Sequence, residues 1–171
     1  MRAYFIAATA VLLSVQAVNA ETASAQGPQQ TTATYEDWTV RCVTLKGIKS
    51  CEMAQTMQIK GQTRPITQIA IGRQPKNGSL KIVFEMPVNV SLPDGVHLVT
   101  DDKKFDMTAS FSRCVPVGCF AETNISEAQI KTLRSLKKTG KLAFKNAAKQ
   151  QIAIPVSFKG FGSAYDALPK P

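Results

Sequence analysis

The chain has 171 residues, with 21 Lys and Arg against 12 Asp and Glu, and a formal net charge of +9. One histidine and four cysteines exclude a multi-histidine metal centre and leave a single histidine for any Ser-His or Cys-His nucleophile. The basic balance points to anionic partners, and the export signal described next removes nucleic acid from among them.

Residues 1–20, MRAYFIAATAVLLSVQAVNA, place Arg2 ahead of an apolar run from Tyr4 to Val15 and end in Val18-Asn19-Ala20. That is the order of a cleavable signal peptide, with cleavage expected after Ala20 and a second site at Ala23-Ser24-Ala25. The run is shorter than the roughly 20 residues a membrane span needs, and no later segment reaches that length. Residues 21–34, ETASAQGPQQTTAT, hold no aliphatic side chain larger than alanine, so a flexible leader is expected there. Residues 35–171 suit one compact domain.

Within that domain alternation dominates. Trp38, Val40 and Cys42 share one strand face, as do Leu80, Ile82, Phe84 and Met86, then Phe105, Met107, Ala109 and Phe111, and finally Ile152, Ile154 and Val156. Further strands are expected at 50–59, 66–72, 96–100 and 141–145. Lys46-Gly47, Pro75-Lys76-Asn77-Gly78, Pro93-Asp94-Gly95 and Pro116-Val117-Gly118 supply reversals. Many short strands between turns predict a mainly all-β antiparallel sandwich or barrel. Trp38 is expected to pack in the core against the first disulfide.

Cys42, Cys51, Cys114 and Cys119 in an exported chain imply two disulfides, and three pairings are possible. Cys42 with Cys51 and Cys114 with Cys119 are expected, because each pair brackets a turn and closes a short loop. Zinc is disfavoured by the spacing of the first pair, and a redox role by the lack of Cys-x-x-Cys. No cofactor is implied.

One segment departs from alternation. In NISEAQIKTLRSLKKTG, Ser126 and Gln129 form a capping box, Ile125 and Ile130 a staple, and Gly140 a stop. Ile130, Leu133 and Leu136 make a narrow apolar stripe, which predicts a single amphipathic helix lying on the sheet. A shorter helical turn is expected near Ala164 to Leu168. Phe158 and Phe161 are expected to dock the C-terminus.

The charge is unevenly spread: residues 21–127 carry 11 basic and 11 acidic side chains, whereas 128–171 carry 9 basic and one acidic, Asp166. Lys131, Arg134 and Lys138 share a helix face, and Lys141 and Lys145 follow, so these five form a candidate anion-binding patch. Its competing reading is a solvated cationic face. His97 lies among aliphatic residues and reads as a packing or edge histidine, and Asp101-Asp102 with Asp106 reads as a hairpin loop rather than a carboxylate pair. No catalytic set is expected. The Asn-x-Ser sequons at Asn77, Asn89 and Asn124 bear on glycosylation only in a eukaryotic secretory pathway.

Five motifs in order, DWTVRC at 37–42, Cys51, LPDGVHL at 92–98, CVPVGC at 114–119 and PVSFKGFGSAYDAL at 155–168, resemble the invasion-associated locus B family of Gram-negative exported proteins. The resemblance runs from about Trp38 to Leu168, with Phe158 replacing the more usual leucine. It implies an immunoglobulin-like β-sandwich, a periplasmic or surface location, and no cofactor or catalytic residues. It also implies an association with entry into host cells, notably erythrocytes, although the family extends to bacteria that invade nothing. The partner expected is an anionic envelope component, a glycan or a protein. The alternatives are a structural or stress-related envelope protein without a specific ligand, and a hydrolase built around His97 or the acidic cluster.

Overall fold

The computed structural model describes residues 29–58, 67–102, 104–136 and 139–170. The signal peptide expected at 1–20 and the leader as far as residue 28 lie outside them. Ten strands follow: β1 (Gln29–Tyr35), β2 (Trp38–Leu45), β3 (Ile48–Met57), β4 (Thr67–Arg73), β5 (Leu80–Met86), β6 (Val96–Thr100), β7 (Asp106–Val115), β8 (Gly118–Asn124), β9 (Gly140–Lys145) and β10 (Gln151–Val156). A 3₁₀ turn (Leu92–Asp94) precedes β6, α1 (Glu127–Ser135) follows β8, and α2 (Phe161–Asp166) ends the chain.

The strands are hydrogen-bonded in the order β1-β2-β3-β4-β5-β8-β7-β6-β9-β10, every pair antiparallel. β7 serves both layers of the resulting β-sandwich. Its first half pairs with β6, its second with β8, and the register shifts between Phe111 and Arg113, where a bulge lets the strand turn from one layer to the other. Between the layers lie Met53, Ile69, Ile71, Ile82, Phe84, Leu98 and Leu142, all nearly inaccessible. These are the alternate residues that a period of two sends to one face.

The far edge is closed by side chains instead of a ladder. Gln55 donates to the carbonyl oxygen of Ser157 (2.8 Å) and accepts from the Ser157 amide (2.9 Å), and Trp38 Nε1 donates to the same carbonyl (3.0 Å). Gln55 is 5% exposed, so satisfying both ends of its amide is what makes its burial tolerable.

Three expectations need correction. The leader predicted over 21–34 is a strand from Gln29 onward. Its polar side chains give no periodic signal, and it is held through backbone pairing with β2 from Gln29↔Thr44 to Tyr35↔Trp38. Trp38 does not pack on the first disulfide. Four residues of strand separate it from Cys42 by roughly 13 Å, and its ring meets Phe161 edge-on at 5.1 Å. Gly140 does not stop α1, which ends at Leu136 in an extended conformation. Gly140 instead opens β9, where a Cβ would lie 2.8 Å from the Val99 carbonyl oxygen and 3.0 Å from the Phe158 ring. The shorter helical turn expected near Ala164 to Leu168 is present as α2, which starts three residues earlier, at Phe161.

Candidate functional site

α1 starts as its sequence dictates: the Ser126 side chain accepts from the Gln129 amide and the Gln129 side chain accepts from the Ser126 amide. Ile130 and Leu133 turn into the core, which leaves Lys131 and Arg134 outward. Of the candidate anion-binding residues that the structure describes, three are engaged by carboxylates. Arg134 makes two parallel bonds to Asp166, at 2.6 and 2.7 Å, and lies 5.8 Å over the Tyr165 ring. Lys141 pairs with Asp101 at 2.9 Å and Lys145 with Asp94 at 2.8 Å. Lys138 lies outside the described residues. Only Lys131 of the four described has no carboxylate partner among those residues.

The reason is topological. Between Ala128 and Tyr165 the chain holds no carboxylate of its own, but β9 runs beside β6, so its lysines meet the acids that flank β6. Asp94 is the hub. It accepts from Lys145, from Lys149 (3.0 Å) and from Ser91 Oγ (2.5 Å), and those bonds, led by Lys145, hold its carboxyl far below the ordinary 3.8. His97 is clipped beside it, with Nδ1 3.0 Å from Thr108 Oγ1 and Nε2 3.3 Å from the Asp94 carbonyl oxygen. Asp102 accepts from Thr100 Oγ1 and the Lys104 amide, the pattern of a turn, and its carboxyl is held below 3.8 chiefly by the Thr100 bond.

A second polar cluster joins β4, α1 and α2. Arg73 Nη2 donates to Glu127 (3.0 Å) and to the Tyr165 hydroxyl (3.0 Å), and that hydroxyl donates to the other Glu127 oxygen (2.6 Å). Its members come from positions 73, 127 and 165, so no local motif announced it. Burial, then the bond to Glu127, push the Tyr165 hydroxyl up to about 12. Both clusters fasten elements together: Asp94 ties the turn before β6 to Lys145 and Lys149, and Glu127 ties α1 to Arg73 of β4 and Tyr165 of α2.

Four lysines without carboxylate partners among the described residues lie at one end of the sandwich: Lys46, Lys49, Lys76 and Lys170, all exposed. Lys49 and Lys170 line one crevice with Pro75 and Gly78, and Lys76 sits in the turn between those two. At the other end an apolar groove of about 600 Å³ is lined by Met57, Val88, Val90, Phe144, Ile152 and Ile154. Alternation within single strands did not reveal it, since its walls come from both layers.

The disulfides are Cys42–Cys51 and Cys114–Cys119, each between directly opposed residues with Cα atoms 4.0 Å apart. Among the described residues no group of three or more His, Cys, Asp or Glu is placed to hold a metal, and no helix is long and apolar enough to cross a membrane.

Residues 38–169 match the family described as invasion associated locus B protein. An invasion protein B homologue of Brucella abortus is 33% identical over 135 residues, covering 79% of this chain and 77% of that one. Invasion protein B of Bartonella bacilliformis is 28% identical over 148 residues, covering 83% and 76%. The crystal structure of invasion associated protein B from Bartonella henselae has the same fold, with a TM-score of 0.69 and 24% identity over 80% of this chain and 92% of that one.

Proposed function

Since this chain belongs to the invasion associated locus B family, we propose that it is exported and works at the cell envelope as a binding protein for an anionic component of the envelope or of a host surface. One observation supports export: all four cysteines are closed in two disulfides. The observation that carries the binding reading is the cluster of unpaired lysines at one end of the sandwich. A field of one sign with no nearby carboxylate concentrates anions, whereas the paired lysines of the C-terminal segment contribute little. Binding, not turnover, is proposed because the carboxylates of the two clusters described above are held in ion pairs, Asp94 with Lys145 and Lys149 and Glu127 with Arg73.

The test is a titration of the purified, oxidised protein against anionic envelope components and sulfated glycans at low and at near-physiological salt. The reading predicts selective binding that survives at about 0.15 M salt, where the screening length is about 8 Å. Uniform weak binding abolished by salt would overturn it.

A further inference from the structure

The β2–β3 hairpin ends in Leu45-Lys46-Gly47-Ile48, with Lys46 and Gly47 both at positive φ, 50° and 79°. That two-residue turn has the twist of the strands it joins, so the ladder runs to the tip. Leu45 and Ile48 oppose each other there, 59% and 64% exposed, and Val43 beside them is 38% exposed. Just behind the tip the Cys42–Cys51 bond ties the two strands together. Three large aliphatic side chains are therefore held on one face at the end of a stapled hairpin, with Lys46 in the turn itself and Lys49, on the other face, lining a crevice with Lys170 beside the turn that carries Lys76.

We propose that this tip enters an anionic lipid bilayer. The aliphatic side chains pass into the boundary of the acyl chains. The lysines, whose stems lie along apolar surface while their ammonium groups stay in water, engage the lipid phosphates. This rests on the anionic-partner reading above and assigns it a site and a ligand class. A folded protein is a poorer fit. Stable protein interfaces bury about 800 Å² on each side and centre on aromatic or arginine anchors, whereas this tip is a narrow projection with neither.

The other stapled hairpin supplies the control. Val115 and Val117 are exposed at 39% and 78%, at the opposite end of the sheet, where Cys119 pairs with Met86 while Asn124 pairs with Lys81. Its cation, Arg113, is stacked on Phe120 at 4.4 Å. Its turn, Pro116-Val117, carries no lysine.

The experiment is co-sedimentation of the oxidised protein, after signal removal, with vesicles of phosphatidylcholine alone or mixed with phosphatidylglycerol, at about 0.15 M salt. The proposal predicts binding to the mixed vesicles. Leu45→Ser with Ile48→Ser should lower it about ten-fold at an unchanged melting temperature, and Lys46→Gln with Lys49→Gln should erase the preference for anionic lipid. Val117→Ser should bind as wild type. Undiminished binding by the Leu45/Ile48 variant would overturn the tip while leaving the anionic-partner reading standing. Binding to soluble heparin but to no vesicle would have the same meaning. Binding to neither vesicles nor any soluble polyanion would overturn both.

Discussion

Gly47 and Gly160 have almost the same backbone angle, φ 79° and 77°, in opposite surroundings. A Cβ on Gly47 meets nothing within 4 Å, whereas one on Gly160 would overlap the Tyr35 carbonyl oxygen. Gly47→Ala should therefore cost only the left-handed backbone penalty, about 1 kcal/mol. Gly160→Ala should cost about 3 kcal/mol or more, because it also forces β1 away from the start of α2. Urea denaturation of the two variants measures the contrast. Tyr165 makes a second test at this scale. Its folded value of about 12 exceeds the ordinary 10.0, so the stability it provides is complete below pH 10 and lost as pH rises toward 12. Tyr165→Phe should cost about 1 kcal/mol at neutral pH and flatten that alkaline loss in thermal melts. Glu127 works on the acid side. The bonds from Tyr165 and then Arg73 hold it below its ordinary 4.5, so its contribution is present above that pH and disappears as pH falls through the folded value. None of this was legible in the sequence, since residues 73, 127 and 165 meet only through the fold.

Among the elements, the ones legible in the sequence are those whose causes are local. The α1 capping box needs four consecutive residues, and β5 shows its alternation within eight, so both were readable. The disulfides were readable too, because each joins strands connected by one short turn. Reduction, or replacement of either pair by serine, should cost roughly 2–3 kcal/mol by closure of loops of this size, measurable as a lowered denaturant midpoint. The Cys42–Cys51 pair, with its separation of 9 against 5, should cost slightly more. β1 was not readable, because Gln29 to Thr34 carry no apolar alternation and owe their extended form to the neighbouring backbone of β2. The C-terminal lysine run was misleading for a related reason. Charge counted along the chain reports nothing about the acids that β6 brings to β9, so Lys141 and Lys145 meet Asp101 and Asp94 at distances no local window spans.

At the scale of the whole molecule, the fold pairs the charge along the β6–β9 region and leaves Lys46, Lys49, Lys76 and Lys170 without carboxylate partners among the described residues at the end that carries the β2–β3 tip. The Gln55–Ser157–Trp38 seam and the contact of Phe161 with Trp38 bind the C-terminal segment to the first strands, so stability depends on both chain ends. Trp38→Ala should accordingly destabilise the whole sandwich, by about 3–5 kcal/mol in one cooperative transition. Export of this family domain, as a disulfide-closed protein of the cell envelope, is the proposal on which the others rest. The direct measurement is mass analysis of the chain recovered from separated cellular fractions without reduction. Export should yield a form shortened near Ala20 or Ala25, found outside the cytoplasm, with Cys42 linked to Cys51 and Cys114 to Cys119. A full-length chain with four free thiols in the cytoplasm would contradict it.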